Sequence, residues 1–323
     1  MSGSPSGVTV LDLEPDAEDF LAQAVAGLSA EPRTLPSKFF YDERGSDLFL
    51  KIRELPEYYV TRTETKILQQ YGAEMADSIG ENAELVGFGT GAGVKTRLLL
   101  GHLKNLIAYV PVDISKQHLT ESAEALSIEM PDLEILPVCA DYLEPIELPT
   151  PSRKPDHVAV YFPGSTIGNL RPETARHFLK RVCVLCGTSG GLIIGVDLQK
   201  PKAILESAYN DSAGVTAEFN RNLLVRANRE IGADFDLTNW RHRAIYNETA
   251  SRIEMHLISE TEQTVHLGEY EFAFAAGEKI ITELSYKHTI EGFRALAGSA
   301  GFQLARVWTD PQKLFAVFHF TTL

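Results

Sequence analysis

The chain has 323 residues, of which 44% are hydrophobic and 23% charged, and its formal net charge is -14. This length allows one large domain or two with separate cores. The acidic balance argues against nucleic acid or an anionic membrane as a partner, because both attract a basic face. No apolar run approaches the roughly 18 residues of a membrane span. We therefore expect a cytoplasmic protein that acts on a small molecule. We also expect a monomer.

The first seven residues are rich in glycine and serine and are expected to be disordered. From there to about Arg62 the pattern is helical, with a segment rich in proline and aromatic residues. A short apolar run that follows Glu84 then stops at the glycine-rich stretch Gly87-Phe-Gly-Thr-Gly-Ala-Gly-Val-Lys95. A strand, a tight turn and a helix start in this order are typical of nucleotide-binding α/β proteins. Alone the signal is weak, because glycine turns between strands and helices are common.

Short apolar runs with an amphipathic stretch at 172–186 predict a parallel sheet with crossover helices. The chain closes with two further strands joined by a turn at Asp310-Pro311. A parallel sheet that ends in an antiparallel hairpin is how the class I S-adenosylmethionine (SAM) methyltransferase fold, a Rossmann-like α/β class, finishes. The predicted strands of this sheet, after the one at the glycine turn, are 106–112, 133–138, 157–162, 191–196, 302–308 and 314–321.

A second region does not fit that sheet. It begins with one predicted helix at 203–230 and continues with strands that alternate apolar and polar residues, which indicates an antiparallel sheet with one wet face. These strands are predicted at 241–246, 252–258, 265–267 and 279–286. We assign residues 63–198 and 289–323 to a SAM-binding core. Residues 8–62 and 199–288 are assigned to an α+β substrate-binding domain.

Acidic residues follow two strands of the predicted core. Asp113 ends the second strand, where such folds bind ribose hydroxyls, although an aspartate there would equally cap the next helix. Asp141-Tyr142 follows the third strand and could bind adenine or form only an Asx turn. After the fourth strand, the loop from Tyr161 to Leu170 contains small and polar residues and offers the Asn169 amide to an amine.

Several motifs together resemble the histidine Nα-methyltransferases of ergothioneine biosynthesis, and the match runs from about Leu35 to the C-terminus. The loop that ends in Asn169 and the Leu-Pro-Glu-Tyr-Tyr segment are the most specific of them. The motifs are Phe40-Tyr-Asp, Gly45-Ser-Asp-Leu-Phe49, Leu55-Pro-Glu-Tyr-Tyr, Thr61-Arg-Thr-Glu64, Phe162-Pro-Gly-Ser-Thr-Ile-Gly-Asn169, Arg252-Ile-Glu-Met255 and Thr282-Glu-Leu-Ser285.

The resemblance implies an enzyme that methylates the α-amino group of L-histidine three times with SAM as the cofactor, giving hercynine and S-adenosylhomocysteine. It assigns the catalytic pocket around the amine to Tyr41, Tyr58 and Asn169. The implied substrate-binding residues are Phe49, Tyr58, Gly164, Asn169, Tyr209, Met255, Glu283 and Ser285. The implied cofactor-binding residues are Gly89, Gly91, Lys95, Asp113, Asp141 and Tyr142.

Glu283 and Ser285 alternate along a predicted strand, so both side chains are expected on one face. A carboxylate and a hydroxyl side by side suit the two nitrogens of an imidazole ring, although without the resemblance a solvent-facing edge would be the preferred interpretation. Two alternatives stay open, namely methylation of a tryptophan derivative and a catalytically weak SAM or amino-acid binder. The nine histidines show no metal-ligand spacing, and we expect no metal.

One departure from the family pattern concerns the first motif. The family has an acid two residues before the first of its glycines, and Gly87 stands at that position here. Such an acid usually serves the ammonium group of SAM, so its loss predicts weaker cofactor binding.

Overall fold

The computed structural model describes residues 9–13, 17–89 and 93–323. The chain forms two compact units. Unit 1 comprises Met1–Glu14, Val60–Leu198 and His288–Leu323. Unit 2 comprises Pro15–Tyr59 and Gln199–Lys287. In the described ranges, no helix is both long and apolar enough to cross a membrane.

Strands and helices of the described residues are numbered in chain order. The strands are β1 (Leu11–Leu13), β2 (Ala83–Phe88), β3 (Ala108–Asp113), β4 (Glu134–Ile135), β5 (Val138–Ala140), β6 (His157–Phe162), β7 (Gly191–Asp197), β8 (Trp240–Asn247), β9 (Arg252–Ser259), β10 (Gln263–Leu267), β11 (Tyr270–Phe274), β12 (Lys279–Tyr286), β13 (Phe302–Thr309) and β14 (Phe315–Thr322). The helices are α1 (Ala17–Leu28), α2 (Glu43–Glu54), α3 (Tyr59–Ile79), α4 (Val94–Leu100), α5 (Lys116–Glu129), α6 (Pro172–Cys186), α7 (Lys202–Tyr209), α8 (Val215–Glu230) and α9 (Ile290–Gly298).

Unit 1 is built on one sheet with the strand order β1-β5-β3-β2-β6-β7-β14-β13, and β4 also pairs with β3. Every residue of β2 and of β7 is buried, as expected for a parallel sheet that is covered on both faces. β14 runs antiparallel to both β7 and β13. This topology confirms the predicted class I SAM-methyltransferase fold with its terminal hairpin.

The strand order reverses at β2, since β3 lies on one side of it and β6 on the other. Open α/β sheets bind ligands outside the carboxyl ends of the strands at such a switch point. The glycine turn after β2 and the loop after β6 both begin at this edge. The fold therefore places two of the predicted motifs where a ligand is expected.

Two local features of unit 1 differ from the prediction. Leu11–Leu13 form an edge strand parallel to β5, whereas the sequence assigned residues from 8 onward to the second domain and predicted helix there. The predicted strand at 133–138 is divided into β4 and β5, with Leu136 and Pro137 between them. Proline lacks the backbone N–H that a continuous ladder requires, which explains the division.

Unit 2 contains a three-stranded antiparallel sheet in the order β12-β9-β8 and the separate pair β10–β11. The prediction of a single helix at 203–230 is wrong, because α7 ends at Tyr209 and α8 begins at Val215. Gly214 has φ +74°, a left-handed conformation that favours glycine. The Asp211 carboxylate accepts hydrogen bonds from the backbone N–H groups of Val215 and Thr216, each at 2.8 Å, and so caps the new helix.

Candidate active site

The turn after β2 brings Gly89 close to Tyr142. Gly89 has φ +59°, and its N–H donates to the Val112 carbonyl at 2.9 Å. A Cβ atom built on Gly89 would lie 3.8 Å from Cε1 of Tyr142, so Gly89 lies directly beside this ring. Gly91, the other glycine assigned to the cofactor, lies outside the described residues. The Tyr142 ring also contacts the rings of Phe88, Phe162 and Phe178, with centroids 5.9, 5.5 and 5.9 Å away.

The two predicted acids of the cofactor site, Asp113 and Asp141, both lie close enough to Tyr142 for their charges to act on it. Asp113 accepts from the Ser115 N–H at 3.0 Å, and Asp141 accepts from the Leu143 N–H at 2.9 Å. Asp141 therefore makes the Asx-turn bond of its alternative interpretation. Asp113 does not cap the next helix as its alternative predicted, because Ser115 is the N-cap residue of α5. Burial and, after it, the charges of Asp141 and Asp113 raise the pKa of Tyr142 well above its usual value. In the described part of the chain, no cluster of three His, Cys, Asp or Glu residues could hold a metal ion.

Lys95 forms a buried ion pair with Glu64 of α3. The two residues are 9% and 0% exposed, and a pair this deep must be fully hydrogen-bonded to be tolerated. Both carboxylate oxygens of Glu64 also accept from the Gly164 N–H, at 3.1 and 2.9 Å. Gly195 makes room for this acid, because a Cβ there would lie 2.1 Å from Glu64 Oε1. Glu64 belongs to the motif Thr61-Arg-Thr-Glu64, but it was not predicted as a site residue, because a sequence does not show which acids are buried.

Gly87, at the position of the absent motif acid, pairs in register with Tyr161 of β6. Registered residues of neighbouring parallel strands point to the same face of a sheet. Tyr161 is fully buried, and its hydroxyl has no hydrogen-bond partner among the described residues. Burial, followed by the charge of Glu64, raises the pKa of this hydroxyl, so it stays neutral. A buried hydroxyl without a partner fits a polar ligand group such as the amino-acid end of SAM.

The loop after β6 has a fixed shape. Ser165 has φ +59°, and its hydroxyl accepts from the Asp197 N–H at 2.9 Å. Gly164 has φ +81°, and the Gly168 N–H donates to the Ser165 carbonyl at 2.8 Å. The loop then forms a 3₁₀ turn over Thr166–Asn169, in which Asn169 is half-buried. The amide predicted to bind an amine is therefore carried by a loop that is held by backbone and side-chain hydrogen bonds.

In unit 2, the aromatic residues assigned to the substrate lie together. The rings of Tyr41 and Phe49 are 5.6 Å apart, those of Phe49 and Tyr58 are 6.3 Å apart, and those of Tyr58 and Tyr209 are 6.4 Å apart. Each pair meets edge to face, the arrangement that aromatic rings prefer. Four residues that are far apart in the sequence thus form one continuous aromatic group.

A polar cluster continues from the last of these rings. The Tyr209 hydroxyl donates to Ser285 Oγ at 3.0 Å. The Lys287 ammonium donates to the same Oγ at 2.8 Å and to the Tyr209 hydroxyl at 3.1 Å. All three residues are buried, with Lys287 only 2% exposed. Lys287 was not among the predicted site residues, because a lysine in a polar strand pattern gives no sign of being buried.

Glu283 lies two residues before Ser285 on β12, and the regular pairing of this stretch with β9 places both on one face. Burial raises the pKa of the Glu283 carboxyl to about 7, although the nearby charge of Lys287 acts in the opposite direction. Met255 is the registered partner of Glu283 on β9 and is buried. Unit 2 therefore collects Met255, Glu283 and Ser285 beside one another, as the resemblance implies.

Comparison with known proteins confirms the family resemblance that the motifs indicated. A family model described as histidine-specific methyltransferase, SAM-dependent, matches residues 20–322. The chain is similar to the histidine N-alpha-methyltransferase of Mycolicibacterium smegmatis, with 42% identity over 91% of this chain and 94% of that protein. It is 40% identical to the histidine N-alpha-methyltransferase of Mycobacterium tuberculosis over 88% of this chain and 89% of that protein. It is also 32% identical to ergothioneine biosynthesis protein 1 of Neurospora crassa, over 86% of this chain and 32% of that protein.

Proposed function

Because the chain belongs to the family of histidine-specific, SAM-dependent methyltransferases, we propose that it trimethylates the α-amino group of L-histidine to form hercynine, the first step towards ergothioneine. The observation that carries this proposal is the pair Glu283 and Ser285, which lies on one face of β12 beside the Tyr209 hydroxyl.

Glu283 and Ser285 are proposed to bind the imidazole side chain of histidine. Imidazole has two ring nitrogens that both form hydrogen bonds, and a carboxylate beside a hydroxyl offers a partner to each. An indole ring has one N–H and no acceptor nitrogen, so it would leave one of these two groups without a partner. The pair therefore favours histidine over a tryptophan derivative, and Met255 packs beside the ring.

The amino-acid end of histidine is proposed to be bound by Tyr58, Tyr209 and Asn169, with Gly164 in the same loop as Asn169. Each methyl transfer requires an unprotonated amine, whereas an α-amino group is largely protonated at neutral pH, because its pKa is about 8 even in a peptide and is higher in a free amino acid. We propose that Tyr41 or Tyr58 passes the amine proton to solvent through water. The faces of Tyr41, Phe49 and Tyr58 would attract the growing methylated cation.

The cofactor is proposed to be bound by Gly89, Lys95, Asp113, Asp141 and Tyr142. When bound, SAM supplies a methyl group that is already electrophilic, so the residues of this chain need chiefly to orient the two reactants and to exclude water. We add the Tyr161 hydroxyl to this set as a partner for the amino-acid end of SAM. Tyr161 is the backbone register partner of Gly87, where the family has its acid, and its hydroxyl has no partner among the described residues, which supports binding of SAM despite that departure.

Mass spectrometry of the purified protein incubated with SAM tests the proposal. With histidine, we expect mono-, di- and trimethylated products that end in the trimethylated form. Methylation of tryptophan alone would favour the indole alternative. Binding of S-adenosylhomocysteine without any product would favour the weak binder. The cytoplasmic, monomeric state expected from the sequence is part of the proposal, and light scattering after size-exclusion chromatography tests the monomer.

A further inference from the structure

Lys287 is a buried lysine outside every predicted set of site residues. It is 2% exposed, and its ammonium lies 2.8 Å from Ser285 Oγ, 3.1 Å from the Tyr209 hydroxyl and 5.0 Å from the centre of the Tyr209 ring. Its charge also acts on Glu283. A lysine is almost never fully buried unless its charge is paired and hydrogen-bonded. The groups that Lys287 contacts should therefore explain why it is buried.

The hydrogen-bond capacity of Ser285 determines what remains for a ligand. A serine hydroxyl donates one hydrogen bond and accepts two. The Lys287 ammonium can only donate, so the bond at 2.8 Å uses one acceptor position of Ser285. The Tyr209 hydroxyl donates at 3.0 Å and uses the second. Ser285 is thus left as a hydrogen-bond donor, and no acceptor for its hydrogen is found among the described residues.

Tyr209 is the natural donor of its bond to Ser285. A phenol, with a pKa of about 10, is a stronger hydrogen-bond donor than an aliphatic alcohol. Lys287 reinforces this direction, because its ammonium donates to the Tyr209 oxygen and polarises the phenol further. The lysine therefore acts on both partners of the Tyr209–Ser285 bond.

We propose that Lys287 is a positioning residue that fixes Ser285 as a donor, so that Ser285 and Glu283 together select the neutral form of the imidazole ring. Glu283 accepts from the ring N–H, and Ser285 donates to the nitrogen that carries a lone pair. This inference rests on the proposed function, because it assumes that the ring of histidine lies against these two residues. It adds a residue and a selection rule that the proposed function does not contain.

Selection of neutral imidazole by Glu283 and Ser285 distinguishes imidazole from a ring of the same shape that lacks a lone-pair nitrogen, whereas packing alone would not. A ring with one N–H and no lone-pair nitrogen would leave the Ser285 hydrogen buried and unpaired, and such a loss commonly weakens binding about 10- to 100-fold. Pyrrolylalanine is such a ligand, and its 2-yl and 3-yl isomers place the N–H at either nitrogen position of imidazole. If Lys287 is removed, Ser285 can turn its hydrogen towards Tyr209, so the preference against pyrrole should shrink.

Calorimetric titration in the presence of S-adenosylhomocysteine tests the proposal. The affinities of histidine and of the tighter-binding pyrrolylalanine isomer are measured for the wild type, Lys287→Met and the control Lys279→Met, which removes a lysine from the other end of β12. We expect the histidine-to-pyrrole ratio to fall about tenfold in Lys287→Met and to stay unchanged in the control. An unchanged ratio in both variants would overturn the proposal. Failure of the wild type to bind histidine would instead refute the proposed function.

A second measurement uses only the wild type and so remains decisive if Lys287→Met does not fold. Histidine labelled with ¹⁵N at both ring nitrogens is observed by NMR in the complex at about pH 6, where the free imidazole, with a pKa of about 6.5, is mostly protonated. We expect one protonated and one unprotonated ring nitrogen in the bound state. Two protonated nitrogens would show that Ser285 accepts rather than donates, which contradicts the assigned role of Lys287.

Discussion

The backbone N–H of Gly164 donates to both carboxylate oxygens of Glu64, at 3.1 and 2.9 Å. The same carboxylate is paired with Lys95 in the first turn of α4. One buried acid therefore connects the loop after β6 with the helix that follows the glycine turn. These two segments carry the proposed cofactor and amine ligands of unit 1, so the geometry of both depends on Glu64.

Substitution Glu64→Gln tests this connection. It leaves the buried Lys95 charge without its carboxylate partner, and breaking such a pair commonly costs about 3–5 kcal/mol of the free energy of unfolding. Denaturant titration measures the loss, and calorimetry should show weaker binding of S-adenosylhomocysteine. The control Glu129→Gln removes the partially exposed partner of Arg97 and should cost less than about 1 kcal/mol. Equal effects of the two substitutions would refute the structural role of Glu64.

Glu283 should make the stability of the unliganded protein depend on pH. Burial raises its pKa from 4.5 to about 7 in the folded state, so the folded state holds the proton more tightly than the unfolded state. The stability associated with the neutral acid is fully present below about pH 4.5 and is lost as the pH rises through about 7.

Glu283→Gln, which is neutral at every pH, should therefore stabilise the protein at about pH 8 by on the order of 1–3 kcal/mol. At about pH 4.5 we expect little difference, because both side chains are then largely neutral in the folded state. Thermal unfolding at the two pH values checks this, and a stabilisation that does not change with pH would contradict the burial of a charge.

Glu283→Ala should weaken histidine binding by roughly 1.5–3 kcal/mol, the cost of losing a hydrogen bond to a charged group. The affinity for S-adenosylhomocysteine should stay unchanged, which separates loss of the imidazole contact from general damage. Calorimetry with the cofactor product present measures both. If histidine bound to this variant as it does to the wild type, Glu283 would have no part in substrate recognition.

Tyr161→Phe removes only a hydroxyl that has no partner among the described residues. Without a ligand role, this change would leave the affinity for S-adenosylhomocysteine unaltered and would stabilise the free protein, because an unpaired buried hydroxyl is costly. We expect the free protein to be at least as stable as the wild type and the affinity to fall about 3- to 10-fold. The analogue that lacks the α-amino group should bind wild type and variant equally.

Much of unit 1 could be predicted because its strands are continuous apolar runs. The run at 157–162 matches β6 at both ends, and the turn at Asp310-Pro311 joins β13 to β14. β1 could not be predicted, because its three residues are exposed and its strand geometry comes from pairing with β5. The break between α7 and α8 depends on the cap from Asp211, and a hydrophobic pattern does not reveal such a cap.

Some residues of the candidate site could be predicted from the sequence, whereas others are recognised only in the structure. Tyr41, Phe49 and Tyr58 lie in the quoted motifs and Tyr209 was implied by the family resemblance, and the structure brings their four rings together. Glu64 and Lys287 received no role from the sequence, because their importance lies in burial and in contacts with Lys95 and Tyr209, which are 31 and 78 residues away in the chain. Charged residues are solvated by default, so only tertiary structure identifies the ones that are not.

The identity of the ring that Glu283 and Ser285 bind is the central claim, and a crystal structure with histidine and S-adenosylhomocysteine tests it most directly. We expect one imidazole nitrogen within hydrogen-bond distance of a Glu283 carboxylate oxygen and the other within the same distance of Ser285 Oγ, about 2.7–3.2 Å in each case. An imidazole bound away from these two residues would contradict the account, whichever product the enzyme forms.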